Sequence, residues 1–337
     1  MSALGVALRD LLPPAGPRAA LPVRAIVDLA VLAERLGYDS VWIPEGRGRE
    51  ALAQLGAIAD ATSRIRLGTG IMPVFSRPPT LAAMGLATLD DLSGGRVVFG
   101  IGAGDPGITQ QGYGQPFRLP VVAVREFVEI VRLALSGETV RYSGKVFQVQ
   151  EFALESVPSR RIPIYVAALR GRMLRVAGKI GDGVLLNWMT PERAAQSSAI
   201  VREAARAAGR AEGSVHVACF VRACVTEEVD SARAMLRRII ATYAALPAYA
   251  RMFEESGFVE EVQAIRARWQ SGIDAATQCV SDRMVDSLGV IGTTAQCRAG
   301  IDRFRDGGVD LPIVYPFATE ATPESYRRTI VALAPGT

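Results

Sequence analysis

The stretch Gly94-Gly95-Arg96-Val97-Val98-Phe99-Gly100-Ile101-Gly102-Ala103-Gly104-Asp105-Pro106 poses the choice of fold. An apolar run ending in repeated glycine is how a dinucleotide-binding turn begins: the strand passes through glycine into a helix whose N-terminus meets a pyrophosphate. Here the glycines at Gly100, Gly102 and Gly104 fall on every second residue and Pro106 follows, so no helix N-terminus is expected to open there. The doubly wound nucleotide-binding reading fails. Alternating glycines instead strip one face of a strand of side chains, which lets either a flat ligand or another backbone come close.

Outward from this strand, short apolar runs alternate with amphipathic helical stretches, the pattern of a parallel sheet covered by helices. Strands are expected at 5–8, 40–43, 65–71, 97–101, 164–167, 183–186, 215–225 and 311–315. Helices are expected over 22–36, 50–61, 79–92, 121–135, 171–180, 191–208, 228–244, 294–306 and 323–333. Eight strands favour a closed (β/α)8 TIM barrel, one domain over 1–337, above an open sheet. Two segments break the rhythm. Residues 139–147 alternate β-formers around Ser143-Gly144 and predict a hairpin inserted before the fifth strand, within 137–150. Residues 247–288, between the seventh and eighth strands, are helical but too long for an ordinary connection. They are read either as a lid or substrate-shaping insertion, or as a segment that packs on the barrel flank or makes a subunit contact.

Composition narrows the function classes. A 337-residue chain with 49% hydrophobic residues buries a large core. Its apolar stretches are interrupted by charges too often for a membrane span, and no basic leader precedes the first short apolar run, so a cytoplasmic protein is expected. The net charge of +4 is carried almost entirely by arginine, Lys145 and Lys179 aside, and the arginines mix with acids, as in Arg202, Glu203, Arg206 and Arg210. A nucleic-acid partner is not implied. Cys219, Cys224, Cys279 and Cys297 form no CxxC and read as reduced thiols. His216 is the single histidine, which removes His-based zinc sites and any triad not built on it.

In a barrel the reacting groups follow the strand C-termini. After the third strand, Leu67-Gly68-Thr69-Gly70-Ile71-Met72-Pro73 and then Ser76-Arg77-Pro78-Pro79 predict unusual backbone geometry. After the fifth, Ala167-Ala168-Leu169-Arg170-Gly171-Arg172-Met173-Leu174 runs from strand through a small-residue turn into a helix. Free N–H groups and the helix dipole make that a phosphate site, to which Arg170 and Arg172 add charge; a solvated basic turn is the alternative. Neither lysine lies at a strand end, which argues against pyridoxal-phosphate or aldolase chemistry.

Five segments in order carry a resemblance: Leu36-Gly37-Tyr38-Asp39-Ser40-Val41-Trp42, Arg66-Leu67-Gly68-Thr69-Gly70-Ile71, Ala87-Thr88-Leu89-Asp90-Asp91-Leu92-Ser93-Gly94-Gly95-Arg96, Gly100 to Asp105, and Gly181-Asp182-Gly183-Val184. Gly292-Thr293-Thr294 and Tyr315-Pro316 continue them. Together they resemble the luciferase-like superfamily, and within it the methylenetetrahydromethanopterin reductases and related enzymes that use the deazaflavin coenzyme F420. The resemblance implies a non-prolyl cis peptide at Gly70-Ile71 beneath the cofactor's central ring. It places Ala103, Gly104 and Asp105 beside that ring, Ala168, Leu169, Arg170 and Gly171 around the cofactor phosphate, and Asn187 and Trp188 on the same side. It also implies a homodimer. Two departures stand out: Glu45-Gly46 lacks the histidine that many deazaflavin members carry there, and Arg170-Gly171 replaces the usual Gly-Pro.

The expected chemistry is hydride transfer between the deazaflavin and an electron-poor C=C, C=N or C=O of a small organic substrate, with the protein supplying position. Glu45 and Asp105, with Tyr315 behind them, are the candidate proton donors; the alternative for each carboxylate is a bond to loop amides. An FMN-dependent monooxygenase is the rival of the same fold, and a non-catalytic flavin-binding protein the rival of another class. The acidic tail of the deazaflavin would favour Arg47, Arg49 or Arg77 at the pocket mouth.

Overall fold

The computed structural model describes residues 3–9, 21–46, 48–320 and 322–335. Arg47, and part of the N-terminal stretch on which the absence of a leader was read, lie outside them. In chain order the first half runs β1 (Gly5–Ala7), α1 (Val23–Arg35), β2 (Ser40–Ile43), α2 (Ala51–Ala61), β3 (Arg66–Thr69), β4 (Met72–Pro73), α3 (Pro79–Ser93), β5 (Val97–Gly102), α4 (Pro120–Leu135), β6 (Val140–Ser143) and β7 (Gln148–Phe152). There follow β8 (Ile164–Ala167), α5 (Gly171–Ile180), β9 (Gly183–Asn187), α6 (Pro191–Ala207), β10 (His216–Val225), α7 (Val229–Ala244), α8 (Pro247–Glu255), α9 (Val259–Arg268), α10 (Ile273–Thr277) and α11 (Asp282–Leu288). The chain closes with β11 (Gly289–Gly292), α12 (Thr294–Asp306), β12 (Leu311–Pro316) and α13 (Pro323–Ala332). The eightfold alternation of parallel strand and helix is that of the (β/α)8 TIM barrel.

The chain divides into two compact units, Met1–Tyr38 with Leu186–Ser198 and Val217–Thr337, and Asp39–Leu185 with Ala199–His216. In the second, β2, β3, β5, β8 and β9 pair in that order, all parallel. In the first, β11, β10, β12 and β1 do the same. Burial explains the near-continuous apolar runs: every residue of β2, β5 and β12 is buried, as expected of parallel strands covered on both faces. Helix ends follow local chemistry. Pro79 opens α3, where its missing N–H costs nothing, and Gly94 closes it in the left-handed region at φ 69°.

Four expectations change. The third strand does not run through 65–71; it breaks after Thr69 and resumes as β4 beside β5. Pro106 does open a helix, a short turn that continues through a five-residue π-helix at Ile108–Gly112, because proline fits the first helical position and Asp105 Oδ1 accepts the Ile108 N–H at 2.9 Å. The hairpin extends past 150, since its second strand ends at Phe152. β11 was not foreseen: it lies parallel to β10, where a four-residue apolar run is too short to be told from a helix end. The hairpin packs against buried Ala83, Ile130, Ala134 and Val140. Glu126 anchors it, accepting the N–H groups of Lys145, Val146 and Phe147 at 2.7, 2.9 and 3.1 Å. A Cβ at Gly144 would stand 2.4 Å from that carboxylate, so only glycine fits the tip.

Candidate active site

In the second unit the ends of β2, β3 and β5 are sewn together. The Gly70 N–H donates to the Ile43 carbonyl at 2.9 Å, and the Glu45 N–H to the Ile71 carbonyl at 3.3 Å. Gly70-Ile71 is a non-prolyl cis peptide. Thr69 Oγ1 donates to the Gly100 carbonyl at 2.7 Å and accepts the Gly100 N–H at 2.9 Å, where a Cβ would lie 1.9 Å from the Thr69 carbonyl oxygen. A Cβ at Gly102 would meet Ala167 Cβ at 2.9 Å and the Ile71 side chain at 3.4 Å; one at Gly104, held at φ 76°, would meet Pro73 at 2.9 Å. Of the two readings of the alternating glycines, close approach by the protein's own neighbours accounts for these positions. The result gathers Ile71, Ala103, Gly104 and Ala167-Ala168 at adjacent strand ends.

The candidate acids are already engaged. Glu45, its side chain 4% exposed, takes Arg77 Nη2 on both oxygens at 2.6 Å and the Ala51 N–H at 3.3 Å, at the start of α2. Arg77 also reaches Glu50 at 2.7 Å. Burial opposes the guanidinium's charge, but hydrogen bonds and attraction from Glu50 and Glu45 outweigh it and raise its pKa above the ordinary value. Asp105 spends Oδ1 on the Ile108 amide. Both carboxylates therefore hold amides at helix starts, and Arg77 is neutralised by two acids before any acidic tail arrives. A cavity of about 530 Å³ opens beside them, lined by Phe75, Ser76, Arg77, Tyr113, Arg118 and Phe147 among others.

At the fifth barrel strand, Ala168 stays in the sheet through its N–H to the Leu185 carbonyl at 3.3 Å. Leu169 and Arg170 turn, and α5 begins at Gly171 with Arg170 at the cap in extended geometry, no side chain capping it and no acid in its first turn. Arg172, Arg175 and Lys179 line a concavity of about 270 Å³ on that helix, and the Arg175 guanidinium lies over Gly171. An uncapped ten-residue helix start with Arg172 and the Arg175 guanidinium beside it is suited to an anion, while Lys179 stands in the last turn of the helix. His216 is occupied in this unit by the Tyr165 hydroxyl, 3.0 Å from Nδ1.

The first unit holds a cluster that sequence reading found only in part. Asn187 and Trp188 were named, but as cofactor neighbours. Asn187 Nδ2 donates to the Tyr249 hydroxyl at 2.9 Å, and its Oδ1 accepts from Arg222 Nη1. Trp188, 1% exposed and at φ 58°, packs on Tyr243 at 4.9 Å and edge-on to Phe253 at 6.2 Å. Arg222 lies 4.1 Å from the Trp188 ring centre and 4.4 Å from that of Tyr315. Tyr315 also hydrogen-bonds Arg9, and burial pushes its hydroxyl up to about 12. Arg222 escaped notice because it sits inside an apolar strand; an arginine at an inward position of β10 was the available signal. Tyr249 and Phe253 come from α8, so the 247–288 segment shapes this cluster, while further along it Asp274 pairs with Arg238, Asp282 with Arg233 and Arg237, and Asp286 with Arg233, all of α7. The later part of the segment thus packs on α7, and α8 contributes side chains to the cluster around Asn187 and Trp188.

Among the described residues no helix is long and apolar enough to cross a membrane. The luciferase-like monooxygenase family model matches residues 4–311. The chain is 30% identical over 285 residues to a 5,10-methylenetetrahydromethanopterin reductase of Archaeoglobus fulgidus, covering 82% of this chain and 85% of that one. It is 34% identical over 176 residues to an F420-dependent glucose-6-phosphate dehydrogenase of Segniliparus rotundus, covering 48% and 52%. The structure of the coenzyme F420-dependent tetrahydromethanopterin reductase of Methanopyrus kandleri superposes with a TM-score of 0.83 at 26% identity, covering 99% of this chain and 97% of that one.

Proposed function

The chain belongs to the luciferase-like monooxygenase family, and from that premise we propose that it is a coenzyme F420-dependent oxidoreductase acting on a small organic substrate. The observation that carries the reading is the start of α5. An uncapped helix N-terminus with Arg172 in its first turn and the Arg175 guanidinium over Gly171 fits the phosphate of a phosphorylated deazaflavin. The glucose-6-phosphate dehydrogenase relative and the solved tetrahydromethanopterin reductase, both named as F420-dependent, support the deazaflavin over FMN. In this reading Gly70, Ile71, Ala103, Gly104 and Asp105 border the ring, Ala168 to Gly171 hold the phosphate, and Asn187 and Trp188 are further neighbours of the cofactor.

When bound, the deazaflavin supplies the hydride chemistry, toward a C=C, C=N or C=O group or in reverse. The protein's part is placement. The hydrogen bonds from the Gly70 N–H to Ile43 at the end of β2 and from the Glu45 N–H to Ile71 between β3 and β4 fix the strand ends, and the packed glycines leave those ends no room to shift. Glu45, held by Arg77 and the Ala51 amide, acts in placement and not as a proton donor. Four cysteines, none in a disulfide, support a reducing compartment such as the cytoplasm, and the family resemblance supports a homodimer.

The test is a fluorescence titration of the full chain with oxidised F420 and with FMN, repeated on R172Q/R175Q. Tight F420 binding, weaker FMN binding and a loss of about 10- to 100-fold in the double variant are expected. FMN preference would replace the reading with an oxygen-using monooxygenase, and binding of neither would remove it.

A further inference from the structure

A buried cation normally meets an acceptor at each N–H, because an unmet donor gives up its hydration for nothing. Four arginines keep a buried, unpartnered Nε among the described residues: Arg132, Arg193, Arg222 and Arg305. Three of them pair through Nη with Asp182, Glu255 and Asp302. Arg222 differs on every count. It is 1% exposed, two of its nitrogens, Nε and Nη2, have no partner, and no carboxylate pairs with it among the described residues.

The chemistry of the gap is specific. Nη1 is spent on Asn187, and the rings of Trp188 and Tyr315 lie over the guanidinium. What remains is the Nε/Nη2 edge, whose two N–H bonds run parallel at the spacing of a carboxylate's two oxygens. Tyr315, the register partner of Arg222 on β12, adds a protonated hydroxyl, and Arg9 adds a second cation through its bond to that hydroxyl. The indole N–H of Trp188 is also buried and unpartnered. Every unmet group here is a donor, so the cluster lacks an acceptor with negative charge. Asn187, Tyr243 and Tyr249 are half-buried and form the outer rim of the cluster, while the Nε and Nη2 atoms of Arg222 and the Trp188 indole N–H are enclosed behind them. Trp188 keeps a backbone conformation rare for a bulky residue, and such conformations gather at ligand sites.

We propose that the Nε/Nη2 edge of Arg222 is a binding site for a carboxylate, and that the substrate is a small organic acid. The substrate class rests on the oxidoreductase reading; the carboxylate site does not. Asn187, itself held by the Tyr249 hydroxyl of α8, fixes the rotation of the guanidinium and so the direction in which the fork points.

The test is calorimetry, with tryptophan fluorescence in parallel, on the full chain against acetate, butyrate and benzoate and against the uncharged benzamide. Saturable binding within the acid series is expected, with benzamide weaker than benzoate by about tenfold or more. R222K, which keeps the charge and loses the planar fork, should weaken acid binding by about 10- to 100-fold, as should R222M. Circular dichroism confirms that each variant is folded; if R222M is not, R222K decides. Absence of binding by all three acids, equal affinity for benzamide, or wild-type affinity in R222K overturns the proposal. A chain that binds F420 but no acid loses this inference and keeps the oxidoreductase reading; one that binds acids but not F420 does the reverse.

Discussion

Arg77 and Arg222 are both arginines enclosed by the barrel protein, and their surroundings are opposites. Arg77 faces two carboxylates, one of them almost fully buried. Arg222 faces an amide and aromatic rings, with two nitrogens unanswered. A cation whose partners are all protein groups is a fastener between loops, here joining the ends of β2 and β4 to the start of α2. One left with donors to spare costs stability that only a ligand returns.

Substitutions separate the two. R77M should lose the most stability, about 3–5 kcal/mol in denaturant unfolding, because it strands the Glu45 carboxylate in a site 4% exposed. R222M should lose less than about 1.5 kcal/mol, since an apolar side chain of similar length replaces a cation with unmet donors. Equal losses would erase the distinction drawn between them.

Between these extremes stands Glu126, a buried carboxylate satisfied by three amides. E126Q should cost about 1–3 kcal/mol, read as a lowered midpoint of thermal or urea unfolding. Burial works against its charge, yet the bonds from Phe147, Lys145 and Val146 prevail and lower its pKa below the usual 4.5. A depressed folded pKa gives stability that is fully present above the unfolded value and fades as pH falls through the folded one. The gap between wild type and E126Q should therefore be largest near neutrality and shrink below pH 4.5. A pH-independent gap would show that the charge is irrelevant there. The smallest effect is expected from Y249F, about 0.5–1.5 kcal/mol, through the single bond to Asn187. It sharpens the comparison if carboxylate affinity falls with it, because Asn187 orients the Arg222 fork.

Much of the fold was legible along the chain. Apolar runs such as Ser40–Ile43 and Ile164–Ala167 match their strands residue for residue, and Gly171–Ile180 its helix, because β-branched runs and helical periodicity are local properties. The strand ends that bear Gly70, Ile71, Gly104 and Asp105 were legible too, as was the small-residue turn into α5. Less visible was how each side chain is used. Glu45 reads as a free acid in sequence, and only folding brings Arg77, 32 positions away, onto both its oxygens. The glycines in and just after β5 read as room for either a ligand or another backbone, and tertiary packing fills that room with Thr69, Ala167 and Pro73. Arg222 gave one faint signal, a charge inside an apolar strand.

The sequence by itself determined the alternation of strand and helix, the presence of a single histidine, His216, and the strand ends at which chemistry is expected. These follow from residue type and near-neighbour spacing, where steric and periodic preferences act. Only the tertiary structure decided which cations are satisfied, because an ion pair depends on residues far apart in the chain arriving within about 3 Å of each other, and local preference holds no information about that distance.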